Sequence, residues 1–416
     1  MALQPDPQPT LPQQPKLWWA NGTAFVAIHL AAAIGCYFRP YQSVSIYTLS
    51  LCAVLFQMAE LSITVGYHRL YSHRAFRASL PVRIVVSLLG ASAMQGSIKW
   101  WCLRHRLHHR YTDDPVHDPY AATRGFWWSH MGWIFFKPRY ERLELVDQAD
   151  LDNDPVVRLQ HKYYLPLSIT LGLILPPCLG VLWGEPAEAF IWGALVARLL
   201  IWHCTFFVNS LAHWDGLQPY SDENTSKSNL VLALLTCGEG NHNFQHAFPH
   251  DYRSGPARYD WDPSKWTILL LQQLGLAWGL KRARPEDVSE ACLYMLHKHA
   301  GEVSGSDDDS SSGDDADLPR SSDLEVWTCP DVQRYVDGGR CVVVLDGLVV
   351  DVTGYLGEHP GGAALLRKYS VRPQGMPHHD VWKQAGWAFH GGMNNHSRAA
   401  RKRMKELLVA RLVDEM

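Results

Sequence analysis

The sequence predicts a mainly α-helical membrane protein: a four-span core with histidine-bearing helices on its cytosolic side, followed by a small α+β unit. Three observations predict it. Long apolar blocks stand apart from polar stretches although the mean hydropathy of the chain is only −0.15. Histidines recur at helical spacing between and after those blocks, and an acidic Ser/Gly-rich stretch separates them from a β-branched C-terminal segment. At 416 residues the chain is long for one domain, for which roughly 100–200 residues is usual.

Residues 1–20 form a tail rich in Pro and Gln, with no Lys or Arg before Lys16. It lacks the features of a cleaved signal peptide, so the first apolar block is expected to remain as an anchor. The membrane core is assigned to residues 21–300. A helix needs roughly 20 apolar residues to cross a hydrocarbon layer of about 30 Å, and residues 21–38, 44–66, 165–183 and 187–211 approach that length. Only Arg39-Pro-Tyr-Gln-Ser43 joins the first two and Gly184-Glu-Pro186 the last two, so each pair should be a hairpin entering from one face. The Arg- and Lys-rich segment between the hairpins then lies in the cytosol, with both termini. Residues 80–98 carry Arg83 and Gln95, and residues 266–280 carry Gln272 and Gln273; both read as interfacial or packed helices. Glu60 falls inside the second span, where a carboxyl is costly unless protonated or paired.

Residues 301–325 form a linker whose stretch from Gly301 to Asp317 holds seven acids and no base. A flexible chain of that length has a root-mean-square span of roughly 25–30 Å, enough to let a following domain reach the membrane-side face. Residues 326–413 read as a small α+β unit, with β-branched runs at 341–345 and 348–352 flanking a turn at Asp346-Gly347. The net charge of −3 gives no global basic field for nucleic acid. Nine cysteines without a CxxC pair exclude a disulfide framework or zinc finger.

The cytosolic histidines carry the chemistry. Residues three and four apart share a helix face, which brings together His105, His108 and His109, Asn209 and His213, and His242 and His246. His68 and His73 are five apart, about 140° round an α-helix, so they converge only if the second span ends or frays between them. Lone histidines such as His29, His161, His203, His250 and His297 read as ordinary surface or core residues. Eight at such offsets read as a metal site. Zinc is satisfied by four ligands, so eight imidazoles suit two ions; imidazole also suits iron, whose open positions host dioxygen chemistry.

Gly66-Tyr-His-Arg-Leu-Tyr-Ser-His73, Leu103-Arg-His-Arg-Leu-His-His109, Val208-Asn-Ser-Leu-Ala-His213 and Gly238-Glu-Gly-Asn-His-Asn-Phe-Gln-His246 resemble, in order and spacing, the histidine boxes of the acyl-CoA delta-9 desaturases. So do the flanks Asp113-Asp-Pro-Val-His-Asp-Pro119 and Ser129-His-Met-Gly-Trp133. The resemblance implies a di-iron centre in the endoplasmic reticulum membrane that uses O2 to remove two hydrogens from a long-chain acyl-CoA. It implies that His68, His73, His105, His108, His109, His213, His242 and His246 are ligands, and that Asn209 holds a metal-bound water. His117 and His130 match family positions outside the ligand set. The last box departs from the family, which usually has two adjacent histidines where this chain has Gln245 and His246. Gln245, three residues after His242, is expected to reach the same cluster as its helix neighbours, offering an amide oxygen in place of imidazole.

Desaturation must act on a methylene with no dipole to polarise, so the oxidant comes from the metal and position along the chain from an apolar tunnel; Phe56, Trp202 and Phe206 are candidates for lining it. Arg74, Arg77, Lys99, Arg104, Arg106, Arg110, Lys137 and Arg139 are candidates for coenzyme A phosphates or anionic membrane lipids.

In the last unit, Asp351-Val-Thr-Gly-Tyr-Leu-Gly-Glu-His-Pro-Gly-Gly362 and Phe389-His-Gly-Gly-Met-Asn-Asn-His-Ser397 resemble the two ligand boxes of cytochrome b5. This implies haem b held by His359 and His396, with His390 as competitor for the second place, and NADH-cytochrome b5 reductase as electron donor. Two axial histidines leave no open iron position, so such a haem passes electrons. The rival readings are a di-iron hydroxylase or sphingolipid desaturase, and a non-catalytic membrane haem protein that relays electrons.

Overall fold

The computed structural model describes residues 16–137, 139–140, 142–301, 324–357, 359, 362–372, 379–390 and 396–413. Most of the expected linker lies outside them, as do most of the N-terminal tail and parts of the segment between the two haem boxes.

Four helices are long and apolar enough to cross a membrane: Trp19–Phe38, Ile46–Ser72, Tyr164–Trp183 and Pro186–Trp214. The apolar window of the first is only 11% buried within the protein and that of the fourth 50%, so the first stands at the lipid-facing rim and the fourth at the centre. Both hairpin turns lie together, on the side away from the histidines. Glu185, in the second turn, accepts hydrogen bonds from Ser45 Oγ (2.7 Å) and Thr48 Oγ1 (2.6 Å) at the start of the second span. Glu60 is 2% exposed, and its Oε2 has no hydrogen-bond partner among the described residues.

The second span runs further than its apolar pattern, because it changes its winding. It is α-helical over Ile46–Leu61 and π-helical over Ser62–Ser72. A π-helix bonds i to i+5 with ~4.4 residues per turn, which brings residues five apart to within about 50° of each other. The His73 N–H accordingly donates to His68 O at 3.0 Å. Convergence of His68 and His73 therefore comes from looser winding together with the expected end of the span between them, at Ser72, with His73 as the cap residue.

Helix Leu80–Ser92 packs on this π segment. Close approach is possible because Gly90 faces Tyr67 and Gly66 faces Val86: a Cβ would fall 2.4 Å from Tyr67 Cε1 in the first case and 2.8 Å from Val86 Cβ in the second. Helix Pro263–Gln273 starts at Asp262, whose side chain accepts from the Lys265 N–H. It stops where Gly275 takes φ of 70°. Strand β2 (Ala277–Trp278) then pairs antiparallel with β1 (Arg77–Ala78), so within residues 266–280 the expected helix stops at Gln273 and gives way to a turn and this two-residue strand.

The C-terminal unit is a four-stranded sheet in the order β3 (Glu325–Trp327), β6 (Leu408–Leu412), β5 (Leu348–Asp351), β4 (Val342–Leu345). β3 and β6 run parallel and the other pairs antiparallel. The β4–β5 turn places Asp346 and Gly347 at φ of 50° and 78°, the double positive φ of a two-residue hairpin. Val342, Val344 and Val349 pack on helix Cys329–Asp337, and Val343, Leu345 and Val350 on the opposite face against Ala385. Helix Arg398–Glu406 lies along helix Pro285–His299 of the core. Arg284 pairs with Glu406 at 2.9 Å, Lys402 with Glu290, and the Arg398 guanidinium lies 3.4 Å from the Tyr294 ring centroid.

Candidate metal centre and haem site

The histidines stand at or near the ends of their elements, on the side away from the two hairpin turns. His68 and His73 close the π-helix. His105, His108 and His109 occupy the last turns of helix Ile98–Arg110, which starts at the cap Ser97, and His213 ends the fourth span. His242 and His246 lie on the short helix His242–Ala247.

These eight sort into two sets of four. One ligand atom from each of His68, His73, His105 and His109 lies within 4.8 Å of the others, and the same holds for His108, His213, His242 and His246. One helix serves both sets, since His105 and His109 share a face and His108 points off it. The sets touch where the His109 and His246 rings stack at 4.3 Å. Gln245 departs from expectation. Its amide nitrogen lies 2.9 Å from His73 Nε2 and 3.2 Å from His109 Nε2, so it joins the first set, whereas its helix neighbours His242 and His246 belong to the second. Asn209 is partly buried one turn before His213 on the same helix.

Carboxylates fix the rings from behind. His68 Nδ1 lies 3.0 Å from Glu239 Oε2, and Glu239 also accepts from Arg69, which pairs in turn with Asp262. His108 Nδ1 donates to Asp118 (2.9 Å). His213 Nδ1 donates to Thr225 Oγ1 (2.8 Å), which donates to Asp113 (2.7 Å). Burial, then neighbouring imidazoles, holds His73, His105, His109, His242 and His246 well below the ordinary histidine range. Burial acts the same way on His108, but Asp118 outweighs it and raises this one. Burial would raise Glu239; Arg69 and His68 instead hold it at about 2.

In the C-terminal unit the rings of His359 and His396 face each other with centroids 6.5 Å apart and planes 30° from parallel. His396 Nδ1 donates to Phe389 O at 2.9 Å, which leaves Nε2 to face inward. His390, the competitor, is half-exposed and paired with Asp346 at 2.5 Å.

Comparison with known proteins decides the family. Residues 44–262 match the family described as fatty acid desaturase, and residues 328–372 match the cytochrome b5-like heme/steroid binding domain. The chain belongs to the fatty acid desaturase family. It is 33% identical to a probable acyl-CoA desaturase of Schizosaccharomyces pombe over 94% of this chain and 77% of that protein. It is 34% identical to acyl-CoA desaturase 1 of Saccharomyces cerevisiae over 85% of this chain and 66% of that protein. Stearoyl-CoA desaturase 5 of Homo sapiens is 35% identical, over 65% of this chain and 83% of its own length. Domains of these two kinds carry metal and haem, and the desaturase fold presents donors that fit. Two nitrogens bound at right angles to one ion, at roughly 2.1 Å each, stand about 3.0 Å apart. The Nε2 pairs His73–His105, His213–His242 and His242–His246 are 2.8, 3.1 and 3.0 Å apart. His108 Nε2 and Gln245 Oε1 are buried lone-pair atoms without hydrogen-bond partners among the described residues. Two imidazoles on opposite sides of one iron place their centroids about 6.4 Å apart, which the facing pair His359 and His396 matches.

Several partners of this desaturase site escaped the sequence reading. Glu239, Asp118, Asp113, Thr225 and Arg69 carry no spacing signal of their own, although Asp113 and Asp118 lie in a flank already noted. Trp202 and Phe206 are buried in the core, Trp202 donating to Ala93 O at 2.9 Å. The basic residues are less available than composition implies. Arg74 and Arg106 pair with Asp150, Lys99 with Asp152, and Arg104 lies 3.3 Å over the Trp100 ring. His29, His203 and His130 form a hydrogen-bonded chain at 3.0 Å per link, ending on Ser210; the middle ring uses both nitrogens, which makes it a chain and not a metal cluster.

Proposed function

We propose that the protein is an acyl-CoA desaturase acting on long-chain acyl-CoA, with two iron ions held by the two histidine sets, haem b between His359 and His396, and O2 as co-substrate. The observation that carries this reading is the pair of adjoining four-histidine sets in a chain that also contains the haem unit. Bound iron supplies an oxidant able to break unactivated C–H bonds, which side chains cannot do. Reducing O2 to water takes four electrons: two leave the substrate with its hydrogens, and two come through the haem unit from NADH-cytochrome b5 reductase.

The chain's own residues orient and protect. Glu239, Asp118 and Thr225 hold His68, His108 and His213 with Nε2 inward, Asn209 would hold a water on the bound metal, and the buried apolar walls around Trp202 and Phe206 would position the apolar substrate. One methylene in such a pocket is worth roughly 1–3 kcal/mol, so chain-length preference is graded. The protein sits in the endoplasmic reticulum membrane with both termini cytosolic, as four spans and a basic histidine face favour. The test is expression in cells lacking their own desaturase, followed by identification of the fatty acids made. New unsaturated products, with the double bond at carbon 9, support the proposal. Hydroxylated products or unchanged lipids reject it.

A further inference from the structure

The two candidate redox sites lie close together. A cavity of ≈ 290 Å³ is lined by His73 of the first histidine set and by His359 and Gly362 of the C-terminal unit, with Arg74, Asp147 and Asp150. Gly362 sits so near the core that a Cβ there would lie 2.5 Å from Arg74 Nη1. On the same face, Arg110 follows His109 directly and ends its helix. The Arg110 charge bears on His359, on His396 and on Tyr369 of the C-terminal unit.

Arg110 is incompletely satisfied. One of its terminal nitrogens donates to Leu145 O, while Nε and Nη2, both buried, have no hydrogen-bond partner among the described residues. The hydroxyl of the adjoining Tyr111, a residue 7% exposed, is likewise buried and unpartnered among the described residues. The nearby carboxylates Asp147 and Asp150 are already taken by Arg74 and Arg106. The Arg110 guanidinium edge lies against the Tyr111 hydroxyl, and a buried cationic edge whose donors are not all met is costly unless an anion completes it. A planar carboxylate fits that fork. Haem b carries two carboxylates on one edge, and the Arg110 charge acts on both histidines that would hold that haem.

We propose that Arg110, with Tyr111, binds a haem propionate across the boundary between the two domains and so turns the haem edge toward the first histidine set. Arg110 is thus a positioning residue between the two redox sites. The assignment rests on the haem reading above, and one experiment separates the two.

The full-length chain is prepared as native, Arg110→Gln, Arg110→Lys and Tyr111→Phe, each loaded with haem b or with its dimethyl ester, and the haem midpoint potential is measured. With haem b, Arg110→Gln should lower the potential, because a neighbouring cation favours the reduced form, and Arg110→Lys should largely restore it. Tyr111→Phe, a change that preserves packing, should shift it in the same direction by less. With the dimethyl ester, which removes the anionic partner but not the Arg110 charge, the difference between the native and Arg110→Gln proteins should be clearly smaller than with haem b. Equal potentials with haem b in all four forms overturn the proposal. So does a difference that is as large with the ester as with haem b, or an unmoved potential accompanied by a raised KM for acyl-CoA, which would assign Arg110 to coenzyme A phosphate. Absence of a low-spin spectrum in the native protein would instead overturn the haem reading itself.

Discussion

Replacing Gln245 by histidine changes the first histidine set in a way the geometry allows to be scaled. The Gln245 side chain is 4% exposed and its amide lies about 3 Å from two imidazoles, His73 and His109. Its Oε1 has no partner among the described residues; with the amide turned over, that oxygen faces the set as a weak fifth donor. The helix His242–Ala247 fixes the backbone, so an imidazole at 245 points to the same place. Imidazole is the better ligand for iron. Altering a group merely behind a ligand typically changes metal affinity 10–100-fold, so a change of donor should reach at least the lower end. Gln245→His is expected to slow iron loss by about tenfold, or about 1.4 kcal/mol, with activity equal to or above native. The assay follows iron transfer to a chelator, counting haem iron separately, beside the product profile. Identical retention and identical products would mean that position 245 does not face a metal.

Further outcomes follow from the same geometry. His359→Ala and His396→Ala should each abolish the low-spin haem spectrum with the core still folded, whereas His390→Ala should keep it; a haem spectrum surviving in either of the first two refutes the axial pair. Since the sets are separate, His73→Ala should lower iron chiefly at one site and His242→Ala at the other, so each variant should retain about one non-haem iron; loss of both from either would show a shared site. Glu239→Gln should weaken iron retention 10–100-fold, and unchanged retention would remove it from behind His68. For pH, His73, His105, His109, His242 and His246 all lie below their ordinary range when folded, so the unfolded chain binds protons first as pH falls. The stability of the metal-free protein should be full above about pH 6.5 and fall below it, by up to about 1.4 kcal/mol per group and pH unit; His108 opposes the trend. A melting temperature that is flat or rises between pH 7.5 and 5.5 contradicts this.

The four spans and the histidine boxes were legible in the sequence because both are local properties. Hydropathy over some 20 residues decides whether a helix suits lipid, and offsets of three and four decide which side chains share its face. The hairpin at Asp346-Gly347 was legible for the same reason, as a turn that only its own two residues must satisfy. What the sequence could not decide depends on how separate elements meet. The π-winding that joins His68 to His73 arises where the span is wholly buried against neighbouring helices, beyond the reach of a 3.6-residue periodicity. The division into two sets of four needs the relative placement of four elements. So does the position of Gln245, which local spacing put with His242 and tertiary packing put with His73 and His109. The partners behind the ligands come from far along the chain, Glu239 lying 171 positions after His68 and Asp113 112 before Thr225. A carboxylate or guanidinium acquires its role only when burial removes water as a competing partner. That is why Arg74 and Arg106 became structural ion pairs while Arg110, alike in sequence, kept buried donors without a partner among the described residues, open to an anion.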